Sequence, residues 1–109
     1  MALSVEENPI RVVITYQAAP GRRSRVAELL ADLGRASESL LINRGHRAVN
    51  EDPIRPGRFI ETFTFISENA RSSFDAFYLR SRAVKAINAV LDDLLEPERC
   101  DFQVFRNVG

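Results

Sequence analysis

Apolar and polar residues alternate over IRVVITYQ: Ile10, Val12, Ile14 and Tyr16 stand against Arg11, Thr15 and Gln17. That period of two is what a β-strand imposes, because successive side chains leave opposite faces. Val13 breaks the alternation, so both faces of this strand are expected to be covered. The next segment, PGRRSRVAELLADLGRASESLLIN, changes period. Val26, Leu29, Leu30, Leu33, Ala36, Leu40 and Leu41 recur at helical spacing and predict an amphipathic helix. Pro20 suits its first position, where a missing N–H leaves no bond unmade. Gly34 weakens the middle of that helix, by about 1 kcal/mol against Ala.

Arg44-Gly45 then punctuates, HRAVNED reads as a short polar strand, and DPIRPG has turn chemistry. RFIETFTFI carries the strongest strand signal in the chain, aromatic and β-branched with no breaker. Its faces are Phe59, Glu61, Phe63, Phe65 and Ile60, Thr62, Thr64, Ile66, neither plainly made for water. Ser67 or Asn69 can cap a second helix. Phe74, Phe77, Tyr78, Val84, Ile87, Val90, Leu91, Leu94 and Leu95 give that helix its apolar side, with a kink expected near Ser81 and Pro97 ending it. DFQVF is the last strand.

The order β-α-β-β-α-β predicts an α+β domain of the ferredoxin-like kind, a four-stranded antiparallel sheet with two helices on one face. Residues 1–9 read as an N-terminal arm and residues 10–109 as a single domain. Two helices leave one sheet face open, and a bare apolar face is larger than soluble monomers usually carry. A homodimer joined through the sheet face is therefore expected.

Charge and composition narrow the chemistry. Among 109 residues, 15 acidic and 15 basic side chains balance, and no basic block offers a surface for phosphates. Nucleic acid is not an expected partner. Arg22, Arg23 and Arg25 crowd the start of the first helix, either as an anion site or as a solvated charge run. Cys100 is the only cysteine, which excludes a disulfide framework and a cysteine zinc cluster and fits a reducing compartment. No window approaches the roughly 18 apolar residues of a membrane helix, so a cytoplasmic protein with no membrane partner is expected. Phosphate-loop, dinucleotide, nucleophile-elbow and HExxH motifs are absent.

Taken together, GHRAVNEDP, PGRFIETFTFIS and FYLRSRAV resemble the antibiotic biosynthesis monooxygenase family of dimeric α+β barrels, over about Ile10 to Phe105. The resemblance implies a Gly-led second strand, an Asp-Pro turn, a Phe-rich third strand bearing a Glu, and a pocket between the sheet and its helices. It implies one of two activities. Some members oxidise hydroquinones or anthrones with molecular oxygen and neither metal nor flavin, needing an apolar cavity, a base and oxyanion donors. Others degrade heme with a helix His and a Trp. This chain has Tyr78 where the family has that His, Ser81 at the family Ser, and no Trp. Heme degradation loses its ligand, so no cofactor and no metal is expected.

Within that frame Glu61, Tyr78 and His46 are the candidate catalytic residues. An acid among Phe59, Phe63 and Phe65 must be paired, protonated or facing a wet cavity. It is a general base in one reading and half of a salt bridge to Arg47 or Arg11 in the other. Tyr78 is an oxyanion donor or a core tyrosine; its ordinary pKa near 10 makes it a poor base. His46 is the only side chain whose unperturbed type ionises near neutrality, at a strand start where a surface position is the default. Tyr16, Asn50, Phe63, Phe74 and Arg80 are candidates for substrate binding. A non-catalytic binding or dimerisation module of the same fold is the alternative function.

Overall fold

The computed structural model describes residues 8–97 and 101–106; most of the expected arm, Met1 to Glu7, and Cys100 lie outside them. The elements are β1 (Ile10–Gln17), α1 (Arg23–Leu41), β2 (Gly45–Glu51), β3 (Arg58–Phe65), α2 (Glu68–Tyr78), α3 (Arg82–Asp92) and β4 (Asp101–Arg106). The four strands form one antiparallel sheet in the order β2-β3-β1-β4. This is the ferredoxin-like arrangement, with the second helix divided in two.

Register assigns the faces. Ile10, Val12, Ile14 and Tyr16 pair with Phe65, Phe63, Glu61 and Phe59, so one alternating set from each central strand shares a side. Gly45, Arg47 and Val49 of β2 join that side through Phe65, Phe63 and Glu61. The helices cover it. One core cluster gathers Val26, Leu29, Leu30 and Leu33 of α1, Val84 and Leu91 of α3, and Tyr16 and Phe59 of the sheet. A second joins Ile10, Val12, Phe63 and Phe65 to Ala70 and Phe74 of α2. The opposite face carries Arg11, Val13 and Thr15, Ile60, Thr62 and Thr64, and His46, Ala48 and Asn50.

Local chemistry departs from the sequence reading in two places. The first helix begins at Arg23, leaving Pro20 and Gly21 in a turn where Gly21 takes φ 78°; a turn that needs a left-handed residue right after the proline displaces the helix start. The kink expected near Ser81 is a full break. α2 ends at Tyr78, and Ser81, extended at φ −65°, ψ 124°, accepts a hydrogen bond from Val84 N to cap α3. Ser67 caps α2 in the same way through Ala70 N.

Two glycines are explained by close approach. A side chain at Gly45 would run into the backbone carbonyl of Thr64, so only glycine lets β2 start against the end of β3. A Cβ at Gly34 would lie 2.5 Å from Arg47 Nη1. The weak point in α1 is the room that the Arg47 guanidinium occupies.

Candidate functional site

A concavity of about 520 Å³ is a wide surface groove beside the C-terminal half of α1, touching Glu38, His46 and Arg47. A smaller pocket of about 200 Å³ is more enclosed and far more apolar. Chemistry that needs water kept away favours the second. Its floor is Val12, Ile14, Phe63 and Phe65 of the sheet; α2 supplies Arg71, Phe74, Asp75 and Tyr78, with Leu79 just beyond the helix, and Phe102 of β4 closes the far side.

The walls are rigid because the rings hold each other. Phe74 packs on Tyr78 at 4.9 Å between centroids and on Phe63 and Phe65 at 5.2 Å, while Phe63 meets Tyr78 edge-on at 6.2 Å. Phe74 and Tyr78 are four residues apart and so lie on one face of α2. Asp75 lies one turn before Tyr78, at i, i+3, and also lines the pocket.

Glu61 is fully buried and has its partners. Tyr16 donates its hydroxyl to Glu61 Oε1 at 2.7 Å, and Arg47 Nε donates to Oε2 at 2.5 Å. Arg47 in turn donates from Nη2 to the Leu30 carbonyl of α1 at 2.6 Å, and its guanidinium lies 6.0 Å over the Phe63 ring. Of the two partners foreseen for Glu61, Arg47 is therefore the real one. Arg11, paired with Thr64, belongs to the other face of the sheet. Both carboxylate oxygens are engaged, and Glu61 lies buried outside the pocket lining.

Tyr78 behaves differently. Among the described residues its hydroxyl makes no hydrogen bond, although the residue is largely buried. Desolvation first, and the nearby Glu61 carboxylate second, push its pKa above the ordinary value; Arg47 opposes them. The phenol is held as a neutral donor.

Five of the eight candidate residues thus assemble on the helix side: Glu61, Tyr16, Phe63, Phe74 and Tyr78. Three do not. His46 and Asn50, paired with Thr64 and Ile60, are exposed on the opposite sheet face, and Arg80 is exposed in the turn between α2 and α3. Sequence reasoning did not assign Arg71 and Asp75 to the pocket; their i, i+4 spacing on the face of Phe74 and Tyr78 is the signal that could have found them. Two of the three arginines at the start of α1 are occupied: Arg23 forks onto Glu51 at 2.5 Å and Arg25 pairs with Glu28 at 3.0 Å. Among the described residues no group of three or more His, Cys, Asp and Glu side chains is placed to hold a metal ion. Nor is any helix long and apolar enough to cross a membrane.

Neither a family model nor a curated protein matches this chain. Solved structures do. A provisionally named antibiotic biosynthesis monooxygenase from Caulobacter crescentus superposes with a TM-score of 0.77 at 13% identity, covering 95% of this chain and 93% of its own. A conserved protein from Methanosarcina mazei gives 0.74 at 19% identity, with 95% and 97% covered. SnoaB, a cofactor-independent oxygenase from Streptomyces nogalater, gives 0.73 at 8% identity, with 93% and 94% covered. At these identities the likeness establishes a shared fold over nearly the whole length. It is the fold that the resemblance of the sequence implied.

Proposed function

We propose that the pocket under α2 binds a small aromatic molecule of the quinol type, and that the protein oxygenates it with molecular oxygen and no cofactor. The observation that supports this reading most is Tyr78: a neutral phenol donor without a partner among the described residues, in an apolar pocket walled by Phe63 and Phe74. Such a donor stabilises negative charge developing on a substrate oxygen. The volume, about 200 Å³, is below the roughly 300 Å³ at which drug-sized sites begin, and so favours one or two fused rings over three. Chain similarity to a cofactor-independent oxygenase at the level of fold fits this chemistry.

Membership of the antibiotic biosynthesis monooxygenase family and pairing of two copies through the open sheet face belong to the same proposal. Ile60, Val13 and Phe105 on that face, beside Thr62 and Thr64, are the surface the second copy would cover. Light scattering at micromolar concentration reads the mass; a monomer rejects this part.

A second reading, a binding module without catalysis, is favoured by Glu61, whose carboxylate is closed by Tyr16 and Arg47. Oxygen uptake by metal-stripped protein on a panel of mono- and bicyclic hydroquinones separates the two. Uptake above the spontaneous rate, lowered in Tyr78→Phe, is expected. Binding of the same compounds without uptake would reject the oxygenase and leave the module.

A further inference from the structure

Glu61 is closed and lies outside the pocket lining, whereas Asp75 lines the pocket and is open. Its side chain is 46% exposed and accepts no hydrogen bond among the described residues. Arg71 Nε stands 3.6 Å from Asp75 Oδ2 and Arg71 Nη1 stands 3.7 Å from Glu68. These distances attract charge to charge but are too long for hydrogen bonds, so Arg71 restrains Asp75 without using its lone pairs. One turn along the same helix face is Tyr78, whose hydroxyl finds no acceptor among the described residues. An acceptor and a donor, both unspent, are placed on one wall of an apolar pocket.

We propose that Asp75 is the group that recognises a ligand hydroxyl, accepting a hydrogen bond from it beside the Tyr78 donor, and so selects hydroxylated aromatic compounds over apolar ones of the same shape. A hydroxyl both gives and takes a hydrogen bond, which matches this pair; a carboxylate ligand would meet the charge of Asp75, and a hydrocarbon would displace water from both groups without replacing its hydrogen bonds. The proposal rests on the reading of this pocket as the ligand site and adds which residue reads the ligand's hydroxyl.

The groups that face Asp75 decide how its role responds to pH. Glu68, Arg71 and Tyr78 lie on its own helix, and the sheet beneath carries the closed pair of Glu61 and Arg47. Burial is the largest influence on Asp75 and raises its pKa above the ordinary 3.8; Arg71 works against it and Glu68 with it. Recognition by the carboxylate is then present at neutral pH and lost on acidification, beginning above the range of a free aspartate.

The test compares 1-naphthol with 1-methylnaphthalene, the same shape without the hydroxyl, by calorimetry on the whole chain and on Asp75→Ala. The wild type is expected to prefer 1-naphthol by roughly tenfold or more, as a hydrogen bond to a charged group implies. In Asp75→Ala the ratio is expected near one. In the wild type the ratio should also fall as pH is lowered into the carboxylate range, whereas in the variant it should stay flat; this pH arm needs no mutation and so does not depend on the variant folding. Equal binding of both compounds by the wild type, or an unchanged preference in Asp75→Ala, overturns the assignment of Asp75 and leaves the pocket standing. Binding of neither compound overturns the pocket as an aromatic site, and the assignment falls with it.

Discussion

Arg47 and Glu61 meet on the helix-covered side of the sheet, Arg47 Nε donating to Glu61 Oε2 at 2.5 Å with side chains 11% and 0% exposed. The pair ties β2 to β3, and the bond from Arg47 Nη2 to the Leu30 carbonyl extends the tie to α1. A buried charge that loses its partner costs far more than the pair itself contributes. Glu61→Gln is therefore expected to destabilise the fold by about 3–5 kcal/mol, whereas Tyr16→Phe, which deletes one neutral donor, costs about 1–2 kcal/mol. Urea unfolding measures both. A Glu61→Gln protein as stable as the wild type would mean that the carboxylate is held for the pocket and not for the fold.

Gly34 provides an independent check on the same geometry. In an ordinary exposed helix, Gly→Ala stabilises by up to about 1 kcal/mol. Here the added Cβ would meet Arg47 Nη1 at 2.5 Å, so Gly34→Ala is expected to destabilise. The sign should reverse once the guanidinium is gone: in an Arg47→Met, Glu61→Leu background, where the charges are removed together, the same substitution should stabilise. Chemical unfolding of the four proteins yields the coupling directly. Destabilisation in both backgrounds would place the conflict elsewhere in the helix.

These two sites also show how far the sequence could be read. The period-2 pattern of β1 and the aromatic run of β3 announced their strands, and the glutamate among phenylalanines announced a buried carboxylate. Arg47 was one of two partners in view, and the choice between Arg47 and Arg11 is made by β-register, which places Arg11 beside Thr64 on the far face. His46 and Asn50 fall outside the pocket for the same reason, since neighbours along a strand point to opposite sides. Gly34 read as a helix defect because its neighbour in space is thirteen residues away in sequence. Asp75 and Arg71 were hidden by their ordinary look as surface charges on an amphipathic helix, until the fold opened the space between α2 and β4.

Ser81 fixes where α3 starts. Its hydroxyl accepts from Val84 N at 3.2 Å, starting α3 afresh after Leu79 and Arg80 turn the chain. Loss of this cap in Ser81→Ala is expected to cost about 1 kcal/mol, and Ser81→Asp, which keeps an acceptor at the helix start, should restore most of it. Because Tyr78 is the last residue of α2, the alanine variant should also weaken aromatic ligands in the pocket. Thermal melts with and without 1-naphthol separate the two effects; an unaltered ligand-induced shift would show that Tyr78 is placed by its ring contacts alone.

Those ring contacts and the burial of Tyr78 make a prediction at high pH. Its pKa is raised, first by desolvation and then by the Glu61 carboxylate. In the unfolded chain it ionises at its ordinary 10.0. A group whose folded pKa exceeds its unfolded one binds its proton more tightly in the folded state, so its contribution to stability is complete below pH 10 and is lost as pH rises from there towards the folded value. The native protein is thus expected to keep one tyrosine un-ionised after an ordinary tyrosine has titrated, read as tyrosinate absorbance. In Tyr78→Phe that late component should vanish, and the decline in stability above pH 10 should become shallower. Two tyrosines are present, so the difference spectrum between the wild type and Tyr78→Phe, which isolates Tyr78, is the deciding measurement. A difference spectrum centred on the ordinary range would mean that Tyr78 is open to water, and the pocket would then lack the neutral donor on which its proposed chemistry depends.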